Sequence, residues 1–306
     1  AGYEVAKEQF IISRNIAKRD NGKAGNISFS DNNGILKVKG DGFDFTFSKK
    51  EGMVTSYIYK GKEFIKDGFG FQPNFWRAPN DNDYGNGEPL RTQIWKQSGK
   101  ECNVTASTFS GNALKVTYSL SAGNNYIVTY TFGKSGRINI NCSFTPAEVK
   151  AEVPRIGMRF RVPASMENIS YLGRGPQENY VDRNAGTIVG LYRSTASQMY
   201  FPYVRPQENG HHTDTKWIEL TDNKKMTLRI EADSLMEFNA LRNSVEDFDS
   251  EEATHRPRQW GNLSEKEIKE NDENKVKNIL RRQTHINDII PKDYVEISLD
   301  LKQQGV

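Results

Sequence analysis

The chain has little cysteine, little histidine and no long apolar run, and each shortage removes a class of function. Only Cys102 and Cys142 occur among 306 residues, with no Cys-x-x-Cys and no histidine pair nearby. Two cysteines so placed build neither a disulfide framework nor a zinc site, and both are expected to be reduced, buried and inert. No apolar run approaches about 18 residues, so no membrane-spanning helix is expected. The opening AGYEVAKEQFII has no basic n-region and no initiator Met, so no signal peptide is expected, and the chain reads as cut from something longer. Charge of one sign is missing too. The 42 basic and 39 acidic residues leave a net charge of +3 with no long block of either sign, which argues against nucleic-acid and membrane partners.

The usual catalytic signatures are equally absent. There is no Gly-x-Ser-x-Gly, no His-Glu-x-x-His and no phosphate-cradling loop. Strand and helix do not alternate as a (β/α) barrel requires. Glycoside hydrolysis needs two carboxylates about 5–10 Å apart; acids are plentiful here, but none is framed as a glutamate on a barrel strand end. GRGPQEN is no dinucleotide fingerprint, because Pro176 would break the helix that must follow.

What the chain does have is aromatics and strands. Hydrophobic content is 36% and mean hydropathy −0.73, yet 16 Phe, 13 Tyr and 4 Trp concentrate the apolar mass in large rings, as a folded globule requires. ILKVKGDGFDFTFS alternates about a Gly-Asp-Gly turn, a hairpin signal. MVTSYIYKGKEFI turns at Lys60 to Lys62. ALKVTYSLSAGNNYIVTYTFGKSGRININCSF gives three strands, PRIGMRFRVP and TIVGLYRS two more, and KWIELTDNKKMTLRIEAD a hairpin turning at Asp222 to Lys224. YVEISLDLKQQ closes the series. About a dozen strands at roughly 8–12 residue spacing predict an all-β fold, a sandwich or large antiparallel sheet.

Helix signal is confined to two places. PLRTQIWKQSGK predicts one or two turns after an Asn-Asp-Asn-Asp loop. LSEKEIKENDENKVKNILRRQ predicts a solvated surface helix, with Ser264 and Glu267 as a capping box. Residues 14–26 read as a Gly/Asn-rich linker, and YEVAKEQFII ahead of them reads as a lone strand, the last of a preceding domain.

Three polar clusters remain, each expected at strand ends. FWRAPNDNDYGNG sets Arg77 beside Asp81, Asn82 and Asp83. YLGRGPQENYVDR carries Glu178, Asn179, Asp182 and Arg183. MYFPYVRPQENGHHTDTKW repeats Pro-Gln-Glu-Asn, with Glu208, and adds His211 and His212. Aromatics beside Arg, Asn and Glu suit a sugar, which offers an apolar ring face and hydroxyls. The plain structural alternatives are an Asx-rich loop around Asp81 to Asp83, a buried corner network around Glu178, and histidines that either line a groove or sit on the surface. A metal site from His211 and His212 is not expected, since neighbours on a strand point to opposite faces.

In this order and at these separations, FWRAPNDNDYGN, YLGRGPQENYVDR and MYFPYVRPQENG resemble the C-terminal small-chain region of glycoside hydrolase family 2 β-galactosidases, over about residues 27 to 306. The resemblance implies a large antiparallel β-supersandwich of the galactose mutarotase-like kind. It implies that residues 1–13 are the closing strand of an immunoglobulin-like domain, and that the parent carries a TIM barrel holding both catalytic glutamates and the Mg and Na or K ions. It implies a retaining enzyme acting on terminal β-galactosides such as lactose, to which this chain contributes no catalytic residue and no metal ligand. The loop Asp81 to Gly87 would border the sugar pocket. A sugar-stacking Trp of the family would follow shortly after DLKQQGV, and the segment 258–283 looks like a surface insertion.

Arg77, Asp81, Asn82, Asp83, Glu178, Glu208 and His211 are therefore the expected rim or cleft residues. The expected partners are the barrel and immunoglobulin-like domains of the same parent, the galactoside at their shared site, and a possible homo-oligomer. A free-standing carbohydrate-binding or aldose 1-epimerase-like domain and a purely structural domain stand as alternatives. The chain is expected to be soluble, in cytoplasm or periplasm.

Overall fold

The computed structural model describes residues 3, 5, 7–12, 26–123, 125–133, 136–145, 151–249 and 285–305. Strand accounts for 49% of residues and helix for 13%, so the fold is all-β as the alternation predicts. Three antiparallel sheets carry it. The first is a meander of β1 (Ser28–Asn32), β2 (Ile35–Gly40), β3 (Phe43–Ser48), β4 (Met53–Tyr59) and β5 (Lys62–Glu63). After β6 (Gln72–Asn74) come three short helices, α1 (Asp81–Asn86), α2 (Glu88–Arg91) and α3 (Gln93–Lys100). The second sheet is β7 (Asn103–Ser110), β8 (Ala113–Ser119), β9 (Asn125–Phe132) and β10 (Ile138–Phe144), in the order β10-β9-β8-β7.

The remaining strands are β11 (Arg155–Pro163), β12 (Asn168–Gly175), β13 (Ile188–Thr195), β14 (His212–Thr221), β15 (Thr227–Leu241) and β16 (Tyr294–Gln303). With β6 they form a seven-stranded sheet in the order β13-β12-β14-β15-β16-β11-β6. Helices α4 (Ala196–Met199) and α5 (Val245–Phe248) lie in its connections.

Period-2 alternation explains why the first two sheets face each other. Phe43, Phe45 and Phe47 share one side of β3 and are buried. Phe45 meets Tyr130 and Phe132 of β9 at ring centroids of 5.3 and 4.9 Å, the latter edge-on. Phe75 closes the end of this sandwich against Trp95, Tyr126 and Phe144. The core continues through Val162, Phe160, Val295 and Ile297 onto the inner face of the seven-stranded sheet.

Several expectations are corrected. The Asn-Asp-Asn-Asp run is the first turn of α1 and not a loop. Asn80 accepts the Asp83 N–H, and the Asp83 carboxylate accepts the Asn80 N–H, a reciprocal cap that starts the helix there. The described residues of YEVAKEQFII carry no strand. The two cysteines are free thiols, Cys102 half-buried and Cys142 exposed, so the expected burial fails for Cys142. The expected helix at 263–283 and the insertion at 258–283 lie outside the described residues, as do all but the last residue of the linker at 14–26. Among the described residues no helix is long and apolar enough to cross a membrane.

Candidate functional site: a closed polar face on the large sheet

Alternation places Arg155, Gly157, Arg159 and Arg161 on one side of β11, Glu296, Ser298 and Asp300 on the same side of β16, and Glu237 and Asn239 on that side of β15. Register aligns them in rows. Gly157, Asp300 and Glu237 form one row and Arg159, Ser298 and Asn239 the next. Such a face would ordinarily meet water. Here it is closed over, and Arg155 is 0% and Asp300 1% exposed. Its cover comes from the three polar clusters of the sequence and from the last described residues of the chain.

Arg155 is the centre. Its guanidinium pairs with Glu208 at 2.8 Å and Asp300 at 3.2 Å, and it donates to the Gln303 side chain. Asn239 donates to the same Glu208 oxygen at 3.0 Å. Burial pushes the Asp300 carboxyl up to about 8, with Glu208 and Glu237 adding to the rise and Arg155 opposing it. Burial thus favours the protonated form of Asp300 over the free carboxylate. His211 sits 3.2 Å from Glu237 through Nε2 and lies under the Tyr180 ring, at 5.2 Å between centroids. Burial lowers the His211 pKa, so the imidazole is neutral. Burial also works to raise Glu237, but the His211 ring and the Gln303 N–H hold it below the usual carboxylate range.

Among the described residues, Tyr180 Oη, His211 Nδ1, Asn239 Oδ1, both Asp300 oxygens and Gln303 Nε2 have no hydrogen-bond partner. So many orphaned polar atoms in one place are unusual for a folded protein.

The other candidates surround this centre. Arg77, 2% exposed, grips Asp83 with two contacts at 2.8 and 3.0 Å and donates to the Gly305 carbonyl at 3.0 Å. Burial and nearby Asp83 push Glu88 up to about 6. Asp81 and Asn82 face solvent on α1, where Arg205 bonds Asp81 at 2.7 Å and covers the Tyr84 ring. Glu178 accepts from Tyr203, from the Gly210 N–H at 2.7 Å and from Arg183 at 2.9 Å. Asn179 is fully buried and staples two clusters, its side-chain oxygen accepting from both the N–H and hydroxyl of Thr213. Asp182 and Arg183 are exposed, so only part of the expected corner network is buried.

The Gly-x-Gly of GRGPQEN is a packing device. A Cβ at Gly173 would come within 2.3 Å of Thr215 Oγ1, and one at Gly175 within 2.4 Å of the Tyr171 hydroxyl.

The three clusters therefore converge, and Glu208 and His211 join the buried centre. His211 and His212 are both buried, 1% and 2% exposed, so neither lines an open groove or lies on the surface. They do point apart, His211 to Tyr180 and His212 to Tyr171 and Phe238. Arg155, Glu237, Asn239 and Asp300 were not singled out by the sequence. Their signal was the polar half of the alternation in PRIGMRFRVP and YVEISLDL, which reads as a solvent face. Among the described residues no group of three or more His, Cys, Asp or Glu is placed to hold a metal ion.

Fold and site together define a class: a large antiparallel, sandwich-like domain whose polar sheet face is sealed by loops around one arginine. Comparison with known proteins gives the family. Residues 39–306 match the model of the β-galactosidase small chain, and the chain belongs to that family. It is 36% identical over 248 residues to a β-galactosidase of Priestia megaterium, covering 79% of this chain and 24% of that protein. It is 28% identical over 256 residues to a β-galactosidase of Streptococcus thermophilus, covering 81% and 25%. A β-galactosidase of Lactobacillus delbrueckii subsp. bulgaricus is 29% identical over 230 residues, covering 73% and 22%. The chain spans about a quarter of the length of these relatives.

Proposed function

We propose that the chain acts as a non-catalytic, carbohydrate-associated C-terminal domain of a retaining β-galactosidase, completing the rim of its active site and taking part in subunit contacts. The observation that carries this reading is the coverage: β-galactosidases match about four-fifths of this chain, while the chain matches about a quarter of them. The remaining three-quarters is where a TIM barrel, its catalytic glutamates and its Mg and Na or K ions would lie, with an immunoglobulin-like domain beside this one.

The way this chain uses its acids supports the reading. Glu208 is taken by Arg155 and Asn239, Asp83 by Arg77, Glu237 by His211, and Glu178 by Tyr203 and Gly210. The outer side of α1 is exposed, so Asn82, and Asp81 with its partner Arg205, are the proposed rim contacts to sugar. Arg77, Asp83, Glu178, Glu208 and His211 stand behind them as support. An epimerase-like reading would need a base and an acid on an open cleft, whereas His211 is closed under Tyr180 and Glu237 is buried beside it.

The test is a titration of this chain with galactose and lactose by NMR, with hydrolysis and galactose mutarotation followed in the same samples. The expected result is no turnover of either kind, with any shifts confined to amides of residues 80–88. Lactose hydrolysis by the chain alone overturns the reading, and mutarotation replaces it with the epimerase.

A further inference from the structure

Beside the Arg155 centre, the polar side of the seven-stranded sheet borders a small cavity. Register builds its floor. Asn239 lies opposite Ser298 and Leu241 opposite Glu296, so these four side chains share one side of β15 and β16. Asn243 follows two residues on, Glu208 reaches in from the loop ahead of β14, and Val245 and Phe248 border the cavity from α5. None of these eight residues is more than 8% exposed. The cavity leaves about 10 Å³ for the centre of a water-sized sphere, room for one water or one small ion.

Its polar lining is made of acceptors. The Asn239 amide donates to Glu208 Oε1 at 3.0 Å and to the Asn209 carbonyl at 3.4 Å, which fixes its orientation and leaves Oδ1 without a partner. The Asn243 amide donates to the Ile290 carbonyl at 2.9 Å, so its oxygen is likewise the spare end. Arg155 and Asn239 both bond Glu208 through Oε1, and among the described residues nothing bonds Oε2. No basic side chain lines the cavity.

A water donates only two hydrogen bonds. Glu208 Oε2, Asn239 Oδ1 and Asn243 Oδ1 are three oxygens that cannot donate in return, and Ser298 Oγ is a fourth oxygen. Such a set suits a cation better than a water. Both carboxylates are also already shared with arginines, Glu208 with Arg155 and Glu296 with Arg159 and Arg161. One positive charge therefore fits, whereas Mg or Ca would draw on unshared carboxylates.

We infer that this cavity binds a single alkali-metal cation, Na+ or K+, through Glu208 Oε2, the Asn239 and Asn243 side-chain oxygens and Ser298 Oγ. The ion ties the Glu208 loop to β15, β16 and the turn that enters α5. The site uses only this chain's own residues, so it stands or falls separately from the sugar reading.

Urea unfolding at constant chloride, with choline replaced stepwise by Na+ or by K+, tests it. A dissociation constant of about 10 mM raises the folding equilibrium constant about tenfold at 100 mM of the preferred cation. Broadening of the ²³Na resonance, relieved by added K+, is the expected direct sign of binding. Ser298→Ala and Asn243→Ala are each expected to remove most of the cation-dependent gain. That gain is measured within each variant against choline, so a loss of stability common to all salts leaves it readable, and Ser298→Ala deletes a single buried atom. Coincident unfolding curves in Na+, K+ and choline for the unchanged chain overturn the inference. A gain that survives in both variants also overturns it, since the cation then binds elsewhere.

Discussion

Replacing Asp300 with Asn probes the buried centre most directly. Asp300 is 1% exposed, and its carboxyl is raised from 3.8 to about 8, mainly by burial. Between those two values the folded protein keeps a proton that the unfolded chain releases. The group's contribution is therefore greatest below pH 4, is lost as pH rises from about 4 to about 8, and is constant above. The slope is about 1.4 kcal/mol per pH unit, and across that span of pH it accumulates to a total of order 5 kcal/mol. Asn is a close neutral stand-in for the protonated acid. The Asp300→Asn chain should match the parent within about 1 kcal/mol near pH 4 and exceed it by several kcal/mol at pH 8. Urea unfolding followed by Trp fluorescence from pH 4 to 9 reads this, and the difference between the two chains cancels the titrating groups that do not interact with Asp300. Parallel curves would refute the protonated acid. A variant weaker by about 3–5 kcal/mol at every pH would show instead an ionised carboxylate whose loss leaves Arg155 unpaired.

Two further expectations use the same sheet. Gly157→Ala would set a Cβ 2.1 Å from Asp300 Oδ1 and 2.4 Å from the Leu299 carbonyl, and that backbone oxygen cannot yield without opening β11 from β16. A loss of about 1–3 kcal/mol or more is expected, with faster hydrogen exchange along both strands as the check. Glu246 is held down at about 2, burial opposing and the two-point contact with Arg159 prevailing. Its side chain is 39% exposed, so screening limits its worth to about 1 kcal/mol. That stability is present above about pH 4.5 and lost as pH falls toward 2. A Glu246→Gln chain should lack that acid limb, and acid titration of the unfolding midpoint would expose a mistake.

The strands were legible because alternation is local. β3 and β9 bury their aromatics as period 2 requires, and the turns at Asp41–Gly42 and Asp222–Lys225 fall where Gly and Asp ask for them. The three motif clusters were legible as polar concentrations at strand ends. α1 was misread because Asn and Asp favour both loops and helix starts, and only the reciprocal bond between Asn80 and Asp83 decides between them. The strand expected in YEVAKEQFII would close a preceding domain, and the described residues include no strand of such a domain for it to pair with.

The sequence by itself determined an all-β chain, its turns, its family, and which stretches hold unusual polar chemistry. These follow from backbone periodicity and from short motifs that need no distant neighbour. Only the tertiary structure decided what the polar faces meet. Alternation says that Arg155, Glu237 and Asp300 share a side of the sheet, but not whether water or protein lies above it. Glu208 comes from a loop 53 residues after Arg155, and Gln303 from the far end of the chain. Their arrival turns a nominal solvent face into a closed network in which one acid keeps its proton. Burial is a property of the assembled layers, and the pKa values and sealed histidines follow from it.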